Sequence, residues 1–344
     1  MKKKSSRVTS VDVAALAGVS QSAVSRAFSP GAVIAEATRE KIFEAANKLN
    51  YVPNSFARGL STRRSNIVAL VLGNRDNPFY MMALHEFSRK LGAIGRQALV
   101  FAVEREENSD RALMEVLQYQ VDGVVLTSAH MSTRMTAMCH DRGIPVVSFN
   151  RILPSLETPS VSCDNRNGGK ILGEAFLAAG ARSFAVLAGD ANGSTSNDRV
   201  RGFTDAVLAA GLPGDSIRLF EAHSTYEGGA AATREMIEGG FRPDAIFGIA
   251  DVIAMGAIDE LTYRYQLRVP EDVMVAGFDN IPESGRLPYR LTTIEQPVAA
   301  MVERTIAHLH LDDPDRGVGP AEATHIPGRL VWRDTIRGEA FRPT

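Results

Sequence analysis

The sequence lacks the features that mark disulfide-bonded, secreted and membrane-spanning proteins. Its 344 residues include two cysteines, Cys139 and Cys163, whose spacing matches no metal-binding motif. We interpret both as reduced thiols, which is typical of a cytoplasmic protein. No run of about 18 apolar residues occurs, so we predict no transmembrane helix and no membrane partner. The basic start, Met1–Ser6, leads into no apolar segment, so we also predict no secretion signal.

Motifs of catalysis are missing as well. The seven histidines are scattered, and we find no HExxH motif, no serine nucleophile elbow and no phosphate-binding loop. We therefore predict that the protein is not an enzyme and has no cofactor or metal site. The apolar content of 44% is nevertheless enough for large cores, and the length leaves room for two or three domains.

Charge is distributed unevenly along the chain. Residues 1–64 contain 11 Lys+Arg and 4 Asp+Glu, a net charge of +7. The other 280 residues contain 27 Lys+Arg and 36 Asp+Glu, a net charge of −9, and the two values sum to −2. A basic segment on an acidic body favours a head that binds a polyanion such as DNA.

The start of the chain has the spacing of a helix-turn-helix. Thr9 to Asp12 reads as a capping box before a helix over 11–17, and Gly18 supplies a turn. Ser20 caps a second helix over 21–28, and a third is predicted over 36–49. The expected core consists of apolar residues from all three helices, namely Val11, Ala14, Ala15, Leu16, Val24, Phe28, Ile42, Phe43, Ala46 and Leu49.

The second helix is the one that enters the major groove in such a motif. Its outward polar groups suit base edges and phosphates. The candidate DNA contacts here are Thr9, Ser20, Gln21, Ser22, Ser25 and Arg26. A small helical subdomain without a role in nucleic-acid binding is the alternative, which the basic charge disfavours.

From Asn66 onward, short β-branched apolar runs alternate with amphipathic helical stretches, and the pattern occurs twice. This alternation is typical of parallel sheets covered by helices. Two such α/β lobes in series indicate a clamshell with a ligand between the carboxyl ends of the sheets. The predicted strands are 67–72, 97–103, 123–127 and 145–149, then 184–188, 217–221, 245–249 and 273–278.

Several motifs in the same order resemble the lactose-repressor/galactose-repressor (LacI/GalR) family of bacterial transcription regulators. They are Val8–Ser20 with Val24-Ser25-Arg26, Thr38–Ile42, Leu49–Leu60 and further matches to about Thr335. The resemblance implies a helix-turn-helix headpiece at 1–50, a hinge helix or linker at 51–65 and an effector-binding and dimerisation core at 66–344. It also implies that the core is like periplasmic binding proteins of type I. Its N-lobe would span about 66–164 and 296–325, and its C-lobe about 165–293 and 326–340.

The resemblance gives the linker a role. Such hinge helices fold when paired across a dimer in the minor groove of the operator, where a leucine wedge kinks the duplex. The matching residues are Asn54, Ala57, Arg58 and Leu60. A plain flexible tether is the alternative.

The resemblance also implies an effector site. Arg199 lies in the Arg-x-x-Gly-Phe element, and Asp279 follows Gly277-Phe278, where family members bind effector hydroxyls. Asp164-Asn165 and Thr292–Pro297 match crossover motifs that are chiefly structural. The candidate effector ligands are Asn77, Phe79, Tyr80, Phe149, Asn150, Arg151, Arg199, Asp251 and Asp279. Asp251 has a second interpretation as the cap of a helix over 252–261.

Two departures from the family pattern weigh against a simple hexose. Ala250 stands where an effector-binding Asn is common, and Ser224 stands where sugar-binding members have an aromatic residue, with Tyr226 close by. We therefore predict a repressor-type regulator that binds a pseudo-palindromic DNA operator and a small polar effector, such as a sugar or sugar derivative. The alternatives are a corepressor-type regulator that stacks a nucleobase on Phe79, Tyr80 or Phe149, and a solute-binding protein. Because the chain after Arg333 shows no heptads, we expect a homodimer and not a tetramer.

Overall fold

The computed structural model describes residues 8–28, 32–52, 64–73, 77–103, 109–127, 132–152, 158–189, 193–313 and 321–338. The chain divides between Ser65 and Asn66 into two compact units. The first is helical, and the second is built on two six-stranded sheets. In the described ranges no helix has the length and apolarity needed to cross a bilayer.

Three helices form the first unit: α1 (Ser10–Ala17), α2 (Gln21–Ala27) and α3 (Glu36–Lys48). The Asp12 carboxylate accepts hydrogen bonds from the N–H and the hydroxyl of Thr9, both at 2.8 Å, so the acidic half of the capping box is formed. Gly18 adopts a left-handed φ of 66°, and the Ser20 hydroxyl accepts the Ala23 N–H at 3.2 Å. The predicted helix-turn-helix is confirmed, with bounds within one residue.

The core of this unit differs in part from the predicted stripe. Val13 and Ala14 of α1 are buried against α2 and α3, whereas Val11 and Leu16 are 56% and 53% exposed. Of the four residues predicted in α1, Ala14 is buried and Val11, Ala15 and Leu16 are exposed, because the buried face is centred on Val13 and Ala14. Phe43 lies at the rim, in an edge-to-face contact with Phe28 whose ring centroids are 5.0 Å apart.

The second unit begins with a parallel sheet in the order β11-β5-β4-β3-β1-β2. Its strands are β1 (Ile67–Leu72), β2 (Gln97–Ala102), β3 (Gly123–Thr127), β4 (Val146–Phe149), β5 (Ser160–Cys163) and β11 (Ala323–Ile326). Buried apolar runs such as Val68–Leu72 account for the central strands, since both faces are covered. The helices of this lobe are α4 (Pro78–Ala93), α5 (Ser109–Val116), α6 (Thr133–Asp141) and α11 (Val298–His308).

The second sheet repeats this arrangement in the order β12-β10-β9-β8-β6-β7. Its strands are β6 (Phe184–Ala188), β7 (Ile217–Glu221), β8 (Ala245–Gly248), β9 (Met274–Asp279), β10 (Thr292–Glu295) and β12 (Arg329–Val331). Its helices are α7 (Asn165–Ala178), α8 (Ser194–Ala209), α9 (Tyr226–Glu238) and α10 (Asp251–Asp259). All pairings are parallel except β10 with β12. The predicted fold class, two doubly wound lobes after a helical headpiece, is confirmed.

The chain passes between the two sheets three times. It leaves β5 at Asp164 to enter α7, leaves β10 at residues 296–297 to enter α11, and leaves β11 at residues 327–328 to enter β12. The pattern of apolar runs missed β5, because its serines 160 and 162 interrupt the run although the strand is buried.

Helices α7 and α8 cross at close range, and glycines make this possible. A Cβ at Gly169 would overlap the carbonyl oxygen of Arg199, and a Cβ at Gly202 would overlap that of Arg166. Only glycine therefore permits this helix spacing. The crossing sets the position of Arg199 relative to the start of α7.

Candidate functional site

The first candidate surface lies on the helical unit. The predicted DNA contacts Thr9, Ser20, Gln21, Ser22, Ser25 and Arg26 are all exposed, whereas Ala23, Val24 and Ala27 of the same helix are buried. The structure thus presents one polar face of α2 to solvent. This is the geometry that base readout in a major groove requires.

Ser10 is a residue of this surface that the sequence did not indicate. The Gln21 Nε2 donates a hydrogen bond to the Ser10 hydroxyl oxygen at 3.0 Å, from one helix of the motif to the other. The bond orients the Gln21 amide, whose carbonyl oxygen is an acceptor that the bond to Ser10 does not use. Eleven residues separate the two side chains, so no local pattern signals the contact.

The predicted hinge contacts Asn54, Ala57, Arg58 and Leu60 lie outside the described residues, which resume at Arg64. Their assignment stays a prediction.

The second candidate site lies in the core, where Asp279 ends β9. Its side chain is 1% exposed. The Oδ2 atom accepts a hydrogen bond from Asn77 Nδ2 at 2.9 Å, and Oδ1 accepts one from Gln296 Nε2 at 2.7 Å. Because Asn77 caps α4 of the first lobe, the bond between Asn77 and Asp279 joins the two lobes directly. A second interlobe bond runs from the Ile152 N–H to the Ser194 hydroxyl at 3.1 Å.

Arg199 completes the charge balance of this site. The guanidinium is buried and donates from Nη1 to Asp279 Oδ1 at 3.2 Å and to the Ile249 carbonyl at 2.6 Å. Its Nε donates to Asn165 Oδ1 at 2.8 Å, and its Cζ atom lies 3.7 Å from the centroid of the Phe278 ring. The neighbouring Arg201 is exposed, as predicted. A buried guanidinium and carboxylate can recognise hydroxyl, amide or carboxylate groups of a ligand.

Two buried acceptors of the core have no donor among the described residues. They are Asn150 Oδ1 and Gln296 Oε1. Asn150 follows β4 with a positive φ of 59°, and its Nδ2 donates to the Tyr80 hydroxyl at 3.4 Å. The carbonyl of Arg151 accepts the Ser148 hydroxyl at 2.7 Å, and the Arg151 side chain is nearly buried. Buried acceptors are rarely left unsatisfied, so these two suit donors from a ligand.

The aromatic candidates occupy a different environment from the one expected. Phe79 and Phe149 have no exposed surface, and their rings stack at 6.4 Å while Phe149 also packs edge-to-face on Phe87. Tyr80 is almost buried as well. These rings therefore belong to the core of the first lobe in this structure, and their role as effector ligands stays a prediction.

Asp251 also differs from its prediction. It is the first residue of α10, has no exposed surface and makes no side-chain cap to its own helix. Its Oδ1 accepts the Thr293 hydroxyl at 2.5 Å and its Oδ2 accepts the Ile281 N–H at 2.8 Å. The capping role was wrong, and the carboxylate is engaged by the protein itself on both oxygens.

Burial raises the pKa values of both carboxyl groups. For Asp251 the pKa rises to about 7, because the group is desolvated and lies near the Asp279 charge. Burial raises the pKa of Asp279 too, but Arg199 and the amide donors of Asn77 and Gln296 oppose the change. Burial is therefore the main cause of both shifts, and the nearby Arg199 charge limits the shift of Asp279.

Asn165 and Gln296 were interpreted as structural parts of crossover motifs, yet both touch the Arg199–Asp279 pair. Their positions directly after Asp164 and before Pro297, at the lobe crossings, are the signal that could have identified them. Of the departures from the family pattern, Ala250 is a buried residue before α10. The Tyr226 hydroxyl donates to Asp259 at 2.6 Å.

Comparisons with known proteins cover nearly the whole chain. A family model described as "Periplasmic binding proteins and sugar binding domain of LacI family" matches residues 65–317. A second, described as "Bacterial regulatory proteins, lacI family", matches residues 10–54. The HTH-type transcriptional regulator CelR of Thermobifida fusca is 34% identical over 308 residues, which are 87% of this chain and 90% of that protein. The HTH-type transcriptional regulator DegA of Bacillus subtilis is 29% identical over 299 residues, 86% of this chain and 88% of its own.

Solved structures agree with the architecture. The complex of the transcriptional regulator CelR with cellobiose superposes with a TM-score of 0.70 at 29% identity, over 96% of this chain and 100% of that one. The Lac repressor dimer bound to operator and the anti-inducer ONPF gives a TM-score of 0.84 at 24% identity, over 96% and 99% of the two chains. The second likeness is one of fold alone.

Proposed function

The chain belongs to the LacI family of bacterial regulatory proteins and is a DNA-binding transcription regulator; we propose that it acts as a repressor whose affinity for an operator is controlled by a small polar effector held between the two lobes of its core. It would do so in the cytoplasm, where the DNA lies. An effector can shift this equilibrium only through a difference in its affinity for the DNA-bound and DNA-free arrangements. The hinge residues Asn54, Ala57, Arg58 and Leu60 would connect the two activities.

One observation carries the effector proposal: side chains from both lobes meet at the buried Asp279 carboxylate. Asn77 comes from the first lobe, Arg199 and Asp279 from the second, and Gln296 from a crossing segment. A molecule inserted here would replace the bond between Asn77 and Asp279 and would thereby change the relation of the lobes. This provides a physical route from binding to regulation.

The chemistry of the site favours a ligand with several hydroxyl groups. The Asp279 carboxylate and the unsatisfied oxygens of Asn150 and Gln296 accept hydrogen bonds, and the Arg199 guanidinium donates them. A sugar hydroxyl can donate and accept at once, so a sugar or sugar derivative can satisfy all of these groups. The cellobiose complex of CelR supports the same class.

The nucleobase alternative keeps support from relatives named as the repressor PurR in two Aliivibrio species, which are 26% and 28% identical to this chain. It needs an aromatic face for stacking. Phe79 and Phe149 have no exposed surface in this structure, so a nucleobase would require the first lobe to rearrange. The polar cluster therefore favours the sugar class.

Thermal-shift screening of cellobiose, ribose, sugar acids and nucleobases tests the effector proposal, because selective binding to the native state raises apparent stability. The variant Arg199→Lys should lose the shift, while Arg201→Lys, on the exposed face of the same helix, should keep it. If a ligand raises the melting temperature of Arg199→Lys as much as that of the wild type, the ligand binds at another site.

Selection from a random pool of duplexes tests the DNA proposal. The full-length protein should enrich a pseudo-palindromic site, with an affinity that falls steeply as salt rises. Footprinting with and without the screened ligand then gives the sign of the coupling. Failure to prefer any duplex site, with or without ligand, would contradict the regulatory role.

We also propose that the active species is a homodimer, since two headpieces are needed for two half-sites. Exposed apolar side chains on both lobes support an interface; they include Met81, Val100, Tyr226 and Leu287. Light scattering coupled to size-exclusion chromatography should give twice the chain mass. A tetramer would refute this.

A further inference from the structure

The turn that follows β9 has an unusual backbone. Asp279 and Asn280 are consecutive residues other than glycine, and both have positive φ angles, 128° and 54°. Such conformations cost free energy and persist only where the surroundings enforce them. Because the backbone at Asp279 determines where its carboxylate points, whatever holds this turn also determines the geometry of the effector site.

Asp251 holds the turn from one side. The N–H of Ile281, directly after the two strained residues, donates to Asp251 Oδ2 at 2.8 Å. The other oxygen accepts the hydroxyl of Thr293, in the strand β10 that leads to the lobe crossing, at 2.5 Å. Asp251 thus connects the start of α10, the turn and the crossing strand through one buried carboxylate.

The space that this carboxylate occupies requires a glycine in the neighbouring strand β9. A Cβ at Gly277 would overlap Asp251 Oδ1, so only glycine at this point in β9 admits the side chain. Thr293 is fully buried as well. A residue serving only as a first-turn acid of α10 would need neither of these features.

Arg333 holds the turn from the opposite side. Its Nη2 donates to Asn280 Oδ1 at 2.6 Å, and its Nη1 donates to the Leu291 carbonyl at 2.6 Å. The Asn280 amide donates in turn to Glu295 Oε2 at 3.2 Å. The strained turn is therefore held by Asp251 at the Ile281 N–H and by Arg333 at the Asn280 side chain, two residues distant from it in sequence.

We propose that Asp251 is a positioning residue for effector binding: without touching the effector, it fixes the turn that directs the Asp279 carboxylate toward Asn77 and Gln296. The inference rests on the proposed role of Asp279 in the effector site. It replaces the interpretation of Asp251 as a direct ligand, since both of its oxygens are occupied by Ile281 and Thr293.

The test uses the full-length chain and four variants. Asp251→Ala removes both bonds, and Asp251→Asn keeps an oxygen that can accept the Ile281 N–H. Thr293→Val releases one carboxylate oxygen at nearly constant volume. Thr233→Val is the matched control, because Thr233 is an equally buried threonine of the same lobe whose hydroxyl bonds only to Gly229 of its own helix.

Hydrogen exchange of a peptide covering residues 280–284 is the first measurement and needs no ligand. Exchange there should accelerate by about tenfold or more in Asp251→Ala, less in Thr293→Val, and little in Asp251→Asn or Thr233→Val. If Asp251→Ala does not fold, the comparison of Thr293→Val with Thr233→Val decides. Unchanged exchange in Thr293→Val, or acceleration shared equally with Thr233→Val across the lobe, would overturn the inference.

Calorimetric titration with cellobiose, ribose and adenine is the second measurement. For a probe that binds the wild type, affinity should fall by about tenfold in Asp251→Ala, as for other supporting contacts, and be restored in Asp251→Asn. Wild-type affinity in a variant that has lost local protection would also overturn the inference. If none of the three probes binds the wild type, the proposed effector class fails, and the exchange result still decides the role of Asp251.

Discussion

The headpiece and the core of this protein present their polar groups in opposite ways. On α2 the side chains of Gln21, Ser22 and Arg26 are exposed on a small apolar core. In the proposed effector site, Arg199 and Asp279 are buried and bonded to each other and to neighbouring amides. DNA can therefore dock on groups that are already accessible, whereas an effector must displace bonds that the protein makes internally.

Substitutions in the two regions should differ in their effects on stability. Exposed polar groups contribute little to folding, so their substitution should alter binding and leave stability almost unchanged. Substitution of a buried charged group should lower the free energy of unfolding, because removal of one partner leaves the other desolvated and unpaired.

The largest effect is expected from Asp279→Ala. The change leaves the Arg199 guanidinium buried without its counterion and should lower the free energy of unfolding by about 3–5 kcal/mol. Urea denaturation measures this value. The control is Asp272→Ala, which removes an exposed carboxylate that bonds bidentately to Arg268 and should have a far smaller effect. Equal losses of unfolding free energy in the two variants would show that the buried carboxylate stabilises the fold no more than the exposed one.

A pH dependence should follow from Asp251. Burial raises its pKa from 3.8 to about 7, so its contribution to stability is complete below the unfolded value and is lost as the pH rises through 7. Compared with Asp251→Asn, the wild type should therefore lose stability between pH 4 and 7, by at most about 1.4 kcal/mol per pH unit. Denaturation curves of both proteins across this range provide the measurement. Parallel pH profiles would show that Asp251 keeps an ordinary pKa.

In the headpiece, Arg26→Ala should reduce affinity for the selected operator by about ten- to a hundredfold, while the unfolding midpoint stays near that of the wild type. The matched control is Lys48→Ala, an exposed cation at the end of α3. Fluorescence anisotropy measures the affinity of each variant for the operator and for a scrambled duplex. The ratio of these two affinities should fall in Arg26→Ala and stay unchanged in Lys48→Ala. An unchanged preference for the operator in Arg26→Ala would show that Arg26 does not contribute to base recognition.

The smallest effect is expected from Ser10→Ala. Loss of the hydroxyl frees the Gln21 amide, so operator affinity should fall by less than about fivefold, while the preference at the base that Gln21 reads should relax. Repeating the duplex selection with this variant measures the preference. An unchanged base profile would mean that Gln21 is oriented by the DNA and not by Ser10.

Local patterns predicted the elements better than the contacts. Capping residues and apolar spacing placed α2 and α3 to within one residue, because helix ends depend on nearby groups such as Ser20. The strands β6 and β7 were likewise placed at their observed bounds. The serine-containing β5 was missed, since its burial is decided by strands distant in sequence.

The sequence predicted several residues of the site but not the hydrogen bonds between them. Resemblance brought Asn77, Arg199 and Asp279 into the candidate list, and the structure brings them together. The bond between Asn77 and Asp279 spans 202 residues, so no spacing in the sequence encodes it. Asp251 was also listed among the ligands, yet its two carboxylate oxygens accept hydrogen bonds from Ile281 and Thr293, which lie 30 and 42 residues further along the chain.

The glycine crossing of α7 and α8 bears on how new effector selectivity could arise. Arg199 is carried by backbone that touches Gly169, and the adjoining turn of α8 carries Gly202 against α7. An added methyl group at either glycine would push the helices apart and shift the guanidinium relative to Asn165, although neither glycine belongs to the proposed ligand set. Laboratory evolution of this regulator toward another inducer should therefore yield changes in the helix interface, away from the pocket wall, that retune selectivity by moving the arginine as a unit with its helix.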